Sequence, residues 1–129
     1  MPTPLVVATS PHDVASTVDR VQTALRTRGV TLFAAVDHAA GAREAGLQLA
    51  DEVLLVFGNP TVGTGLMQAD PRVGLDLPLR LLVWDEQGTT QIAFSDPAEL
   101  ATSYSLDGHL PVLSQLRALL DQLVVEATR

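Results

Sequence analysis

Residues 79–94 read Leu-Arg-Leu-Leu-Val-Trp-Asp-Glu-Gln-Gly-Thr-Thr-Gln-Ile-Ala-Phe, and they decide the fold. Two apolar runs, Leu79 to Trp84 and Thr89 to Phe94, flank Asp85-Glu86-Gln87-Gly88, a short polar link that ends in glycine. Strand-forming residues on both sides of a tight glycine turn predict a β-hairpin. The two strands of a hairpin are antiparallel, so an all-parallel sheet sandwiched between helices is excluded.

Toward the N-terminus, Leu5 to Ala8, Val30 to Val36 and Val53 to Phe57 are apolar and rich in β-branched residues, which predicts three more strands, the last of them central. Ser10-Pro11-His12-Asp13 has the pattern of a helix start, with Ser10 as N-cap. Val14, Val18, Val21 and Leu25 then place one apolar stripe on that helix, which closes at Arg26, Arg28 and Gly29. Asp37 is placed to cap a short Ala-rich helix running to about Leu47, and Asn59-Pro60 to cap a loop or helical turn through Met67. Asp70-Pro71 and Leu77-Pro78 bracket a segment expected to be extended, because a residue before proline is pushed out of the helical region. After the hairpin, Asp96-Pro97-Ala98-Glu99 caps another short helix. Pro111 to Val125 carries Val112, Leu113, Leu116, Leu119, Leu120, Leu123 and Val124 at helical spacing. The order of elements predicts an α+β fold: one domain, 1–129, with a curved, mostly antiparallel sheet and helices packed on one face.

Composition narrows the function classes. Apolar residues are 47% of the 129 and aromatics only 4%, so the core is aliphatic. The chain has no cysteine, which excludes disulfides, thiolate nucleophiles and Cys-ligated metals and fits a cytoplasmic protein. Its eight basic residues are all Arg, which excludes Schiff-base and P-loop lysine chemistry. A net charge of −7 leaves no cationic surface for phosphates, so neither nucleic acid nor an anionic membrane is an expected partner. No apolar run reaches membrane-span length, and Met-Pro-Thr-Pro-Leu-Val-Val lacks the basic flank of a signal peptide, so the chain reads as soluble and unexported.

Four blocks occur in order: Thr31 to His38 (TLFAAVDH), Phe57-Gly58-Asn59-Pro60, Gly63-Thr64-Gly65-Leu66-Met67, and Leu75 to Arg80 (LDLPLR). Together they resemble the bacterial and archaeal family called domain of unknown function 302, over nearly the whole chain. The resemblance implies a curved antiparallel sheet backed by helices, similar in outline to the TATA-binding-protein-like fold. It implies no activity, and an outline of that kind does not carry DNA binding with it.

The candidate chemistry sits where strands end, since such positions are rigid yet reach solvent. Asp37 and His38 offer a carboxylate beside an imidazole; the simpler reading is that Asp37 caps a helix and His38 lies solvated in its first turn. His12 and His109 read as surface residues. Gly58 to Gly65 has the look of a phosphate loop, but Thr64 stands where a P-loop requires lysine. Asn59, Thr61 and Thr64 retain the capacity to hydrogen-bond a small ligand, against a plain cap and tight turn. Asp76 and Arg80 form either a structural ion pair or an anion-binding pair, with Arg80 expected to be partly desolvated beside Leu82 and Trp84. Met67 is a core gap-filler or a soft copper ligand. Ser103, Ser105 and Ser114 lack a nucleophile elbow.

Two functional expectations follow. The first is binding of a small ligand or ion, without turnover, by Asp37, His38, Asn59, Asp76 and Arg80. The second is a small enzyme with His38 as general base, oriented by Asp37 or Asp76, and Arg80 holding an anionic substrate; a protein-interaction module is the remaining alternative. No cofactor and no resident metal are implied. The apolar bias favours a symmetric homodimer.

Overall fold

The structure, a computed structural model, describes residues 4–129. Five strands, β1 (Leu5–Ser10), β2 (Thr31–Asp37), β3 (Glu52–Gly58), β4 (Leu79–Glu86) and β5 (Thr89–Ser95), form one sheet in the order β1-β5-β4-β3-β2. Every neighbouring pair is antiparallel. The hairpin sits at the middle of the sheet, and β4, rather than β3, is the central strand. Its two-residue turn places Gln87 at φ 53° and Gly88 at φ 90°, the paired positive φ of a turn whose twist matches the strands it joins.

Helices α1 (Val14–Thr27) and α5 (Leu110–Thr128) lie together across one face. Alternate strand residues meet them: Leu55 and Phe57 from β3, Leu81 and Val83 from β4, and Ile92 and Phe94 from β5 pack with Val21, Leu25, Leu120 and Leu123 as one buried cluster. Arg28 at the end of α1 donates both guanidinium arms to Glu126 of α5 at 2.7 Å. A smaller cluster, Leu66, Val73, Leu106 and Leu113, binds α3 (Pro60–Ala69) and the loops to the start of α5. Among the described residues, α1 and α5 both pack on this face and leave the other face of the sheet uncovered by either of them.

Local chemistry fixes the helix ends. Asp37 accepts the Ala40 N–H to cap α2 (His38–Glu44), Asn59 accepts the Thr61 N–H to cap α3, and Asp96 accepts the Ala98 N–H ahead of α4 (Leu100–Ser103), as the sequence predicts. Helix α1 differs: its cap is Asp13, which accepts the Ser16 N–H at 2.8 Å, while Ser10 is buried and hydrogen-bonds Thr17. The 71–75 segment is a 3-10 helix, not an extended run, while Asp70, directly before proline, is extended. Helix α3 is fully formed to Ala69 despite Gly63 and Gly65, because Leu66 is locked into the smaller cluster.

Candidate functional site

Antiparallel pairing brings the start of β2, the end of β3 and the start of β4 to one end of the sheet. Thr31 pairs with Gly58, and Phe57 pairs with Leu79. From there α3 departs, the 70–78 connection arrives, and the N-terminal half of α5 crosses above. These pieces do not close on one another, and a cavity of about 450 Å³ is left between them.

Its walls are apolar. Phe33 and Val30 come from the β2 edge, Val62, Leu66 and Met67 from α3, Leu77 and Pro78 from the connection, and Val112, Leu116 and Leu119 from α5. A register shift between Leu32 and Ala34 marks a bulge at Phe33, which leaves that ring half-exposed at the mouth. A Cβ on Gly58 would lie 3.5 Å from Pro78 and 3.7 Å from Phe33, and one on Gly74 would lie 3.1 Å from the Met67 sulfur. Among the described residues, Asn59, Thr64 and Gln115 are the polar side chains of the lining, and no Asp, Glu, Arg or His belongs to it. Asn59 spends its carbonyl oxygen on the α3 cap, and its amide nitrogen carries no protein partner among the described residues.

The strand-end candidates are divided by this geometry. Asn59 lines the large cavity. Asp76 and Arg80 line a second, polar one of about 160 Å³, and Pro78 and Leu79 border both. Asp37 pairs with Val53, at the far end of β2, with His38 exposed as the first residue of α2. Arg80 stands opposite Val56, which stands opposite Ala34. Two strand spacings and three residues therefore separate Arg80 from Asp37 by roughly 14 Å. Thus His38 and Arg80 do not face a common space.

Asp76 and Arg80 are not paired with each other. Asp76 accepts the Tyr104 hydroxyl, which raises the tyrosine's pKa, first through that hydrogen bond and then through burial. Arg80 is exposed rather than desolvated, because its strand parity turns it away from the core side that Leu79 and Leu81 face. A third, shallow cavity at the opposite end of the sheet has His12, Asp13, Asp51 and Asp85 around it, but no group of three or more metal-ligating side chains exists among the described residues. Met67 lines the large cavity as part of its apolar wall, and no His borders that cavity among the described residues.

Sequence reasoning did not find Phe33, Val62, Gln115, Leu116 or Leu119. The heptad-like stripe of α5 marks its leucines as buried but not which of them border a void. One signal was present: all four family-resembling blocks send residues to this cavity, Phe33 from the first, Gly58 to Pro60 from the second, Gly63, Thr64, Leu66 and Met67 from the third, and Leu77 to Leu79 from the fourth.

The family described as "Domain of unknown function DUF302" matches residues 6–125. A crystal structure of an uncharacterized conserved DUF302 protein from Bacillus stearothermophilus superposes with a TM-score of 0.84 over 97% of this chain and 98% of that one, at 22% identity, which shows the shared fold. Proteins named "Fluoride-specific ion channel FluC 1" from Brucella suis biovar 1 (strain 1330) and Brucella abortus biovar 1 (strain 9-941) are 47% identical over 103 residues, 79% of this chain and 41% and 38% of theirs. The chain thus spans about two-fifths of the length of these curated relatives. No helix among the described residues is long and apolar enough to cross a membrane.

Proposed function

This chain belongs to the family called domain of unknown function 302, and from that premise we propose that it binds a small, neutral, largely apolar ligand in the cavity between α3, α5 and the ends of β2, β3 and β4. The observation that carries the reading is the convergence of all four family-resembling blocks on one uncharged cavity. Its volume of about 450 Å³ lies within the range of small-molecule sites, which are mostly apolar with a few placed polar groups. At about 30 Å³ per water it has room for about 15 waters, and hence for a ligand with a similar number of non-hydrogen atoms.

Charge decides the class. A carboxylate or phosphate entering this cavity would lose its hydration with no cation to replace it, a cost of several kcal/mol or more. A neutral molecule with one hydrogen-bonding end loses little, because Asn59, Thr64 and Gln115 can take that end. Binding, rather than turnover, suits a lining without a titratable group to move a proton. Of the residues expected from the sequence, Asn59 keeps its binding role here. We place this activity in the cytoplasm on the cysteine-free composition.

The neutral fluorophore N-phenylnaphthylamine tests the reading. It is expected to brighten and blue-shift on binding, and to lose most of that signal in Val62→Trp, where an indole occupies the void. Equal signal in both proteins, with the fold intact by circular dichroism, would remove the cavity as the site.

A second reading comes from the channel-named relatives: the domain serves an ion-transport protein as an appended module. The 47% identity supports it. Fluoride binding by this chain itself is disfavoured by the chemistry, because no Arg or His lines the large cavity among the described residues, and Asp76, Asp96 and Glu99 line the small one that Arg80 borders. Sodium fluoride is therefore expected to leave the thermal midpoint where sodium chloride leaves it; a selective rise with fluoride would favour the transport reading.

A further inference from the structure

The face of the sheet turned away from α1 and α5 is apolar where a solvated face would be polar. Strand register places Val7, Ala93, Leu82, Leu54 and Val36 side by side in one row that crosses all five strands without a polar side chain. Val7 is 52% exposed and Val36 41% at the two edges, while Leu54 and Leu82 between them are half-buried and Ala93 is buried. One row toward the cavity end lie Leu5, Ser95, Arg80, Val56 and Ala34; one row the other way lie Thr9, Gln91, Trp84 and Glu52. Antiparallel sheets with one solvated face alternate apolar with polar residues, and here the alternation fails across the middle of the sheet.

We propose that this face is the interface of a homodimer, in which two copies stack sheet against sheet. Five strands at about 4.8 Å and six residues at about 3.4 Å give a face of roughly 24 by 20 Å, near 500 Å² in projection, and side-chain relief raises the accessible area toward the about 800 Å² per partner of a stable interface. The fit is self-complementary in one orientation. With the two-fold axis along the apolar row and the sheets about 10 Å apart, β4 faces β4 and the row of Arg80 faces the row of Trp84. Arg80 then meets Trp84 of the partner subunit, with Glu52 of the partner subunit beside it, a cation over an indole face next to a carboxylate. An axis along the strands would instead set Arg80 against its own copy. Within one chain Arg80 and Glu52 lie on neighbouring strands but four residues apart in register, too far to pair, so charge coupling between them reads the partner subunit alone.

Sedimentation equilibrium decides it. The protein is expected at about 27 kDa, twice its 13.7 kDa, and Leu82→Glu at the monomer mass with an unchanged far-ultraviolet spectrum. Because Leu82→Glu lies in the central strand and is able to unfold it, the charges supply a second reading. Arg80→Glu is expected to weaken the dimer about tenfold or more, and Arg80→Glu combined with Glu52→Arg to recover most of the loss. A monomer at the highest soluble concentration, whether or not it cosediments with phosphatidylcholine vesicles, overturns the second copy as the occupant. A dimer indifferent to all three variants overturns this face as the interface.

Discussion

Asp70 shows how one side chain holds a connection in place. It is 5% exposed, and its carboxylate accepts from the Arg72 backbone at 3.0 Å, from two Arg72 guanidinium nitrogens at 3.0 and 2.8 Å, and from the Ser105 N–H at 2.9 Å. The Arg72 guanidinium, then the Ser105 N–H, hold the carboxyl far below the usual carboxylate range. The same guanidinium lies 6.0 Å over the Tyr104 ring, so the 3-10 segment is tied to the loop before α5. Since the folded carboxyl binds its proton less tightly than the unfolded one, its contribution is complete above the unfolded pKa of about 3.9 and is lost as pH falls below it toward the folded value. Asp70→Asn is expected to lower the thermal midpoint by several degrees near neutrality. The difference from wild type should shrink steadily below about pH 4, as followed by circular dichroism melts. A difference constant across that range would mean that the carboxylate's charge does not stabilise the fold. Asp76 and Arg80 make the complementary point: side chains four apart in sequence did not pair, because one precedes the strand and bonds Tyr104 while the other lies on the face turned away from α1 and α5.

Along α5, one helix performs two tasks. Leu120, Leu123 and Ala127 fill the main core, whereas Leu116 and Leu119, half-buried at the edge of that core, also border the cavity together with Val112. The cost of truncation should follow that division. Leu123→Ala, at a site 0% exposed and packed on all sides, is expected to lose 2–5 kcal/mol, about the range for buried leucines. Leu116→Ala opens onto space that already exists, leaves little new void, and is expected to cost about half as much or less. Urea unfolding measures both, and equal losses would mean that Leu116 is packed as core. These elements were readable in the sequence to different degrees, for a physical reason. The hairpin, the caps at Asp37, Asn59 and Asp96, and the stripe of α5 are set by residues within a few positions of one another, so local chemistry exposes them. Ser10 has the residue type of a cap but is buried against Thr17, three-dimensional packing that local sequence does not show, and Asp13 caps α1 instead. The continuation of α3 through Gly63 and Gly65 rests on tertiary packing of Leu66, which propensity does not see. The cavity is legible least of all, since its walls run from Val30 to Leu119 and only the folded chain brings them together.

Stability should be graded across the sheet in a way that couples the cavity to the protein's motions. The central strand β4 is bonded on both sides and sends Leu81 and Val83, each 0% exposed, into the core. The edge strand β2 is exposed at all seven positions, pairs only with β3, and is interrupted by the bulge at Phe33. Local opening draws on such weakly packed edges, so β2 amides are expected to exchange hydrogen at free energies well below those of β4, whose exchange requires global unfolding. Opening β2 also removes Phe33 from the cavity mouth, which makes that motion a route of entry. A bound molecule must then oppose the opening. At a hundred times its dissociation constant a ligand adds about 2.7 kcal/mol to any unfolding that destroys its site. Saturating N-phenylnaphthylamine is therefore expected to slow exchange at Thr31 to Ala34 and in the first turns of α3. Helix α2, at the other end of β2, should keep its rate, because no α2 residue lines the cavity. Mass-spectrometric exchange with and without the probe reads this directly. Slowing confined to α2, or no slowing anywhere despite binding, would separate the edge strand from ligand entry and place the bound probe elsewhere on the protein.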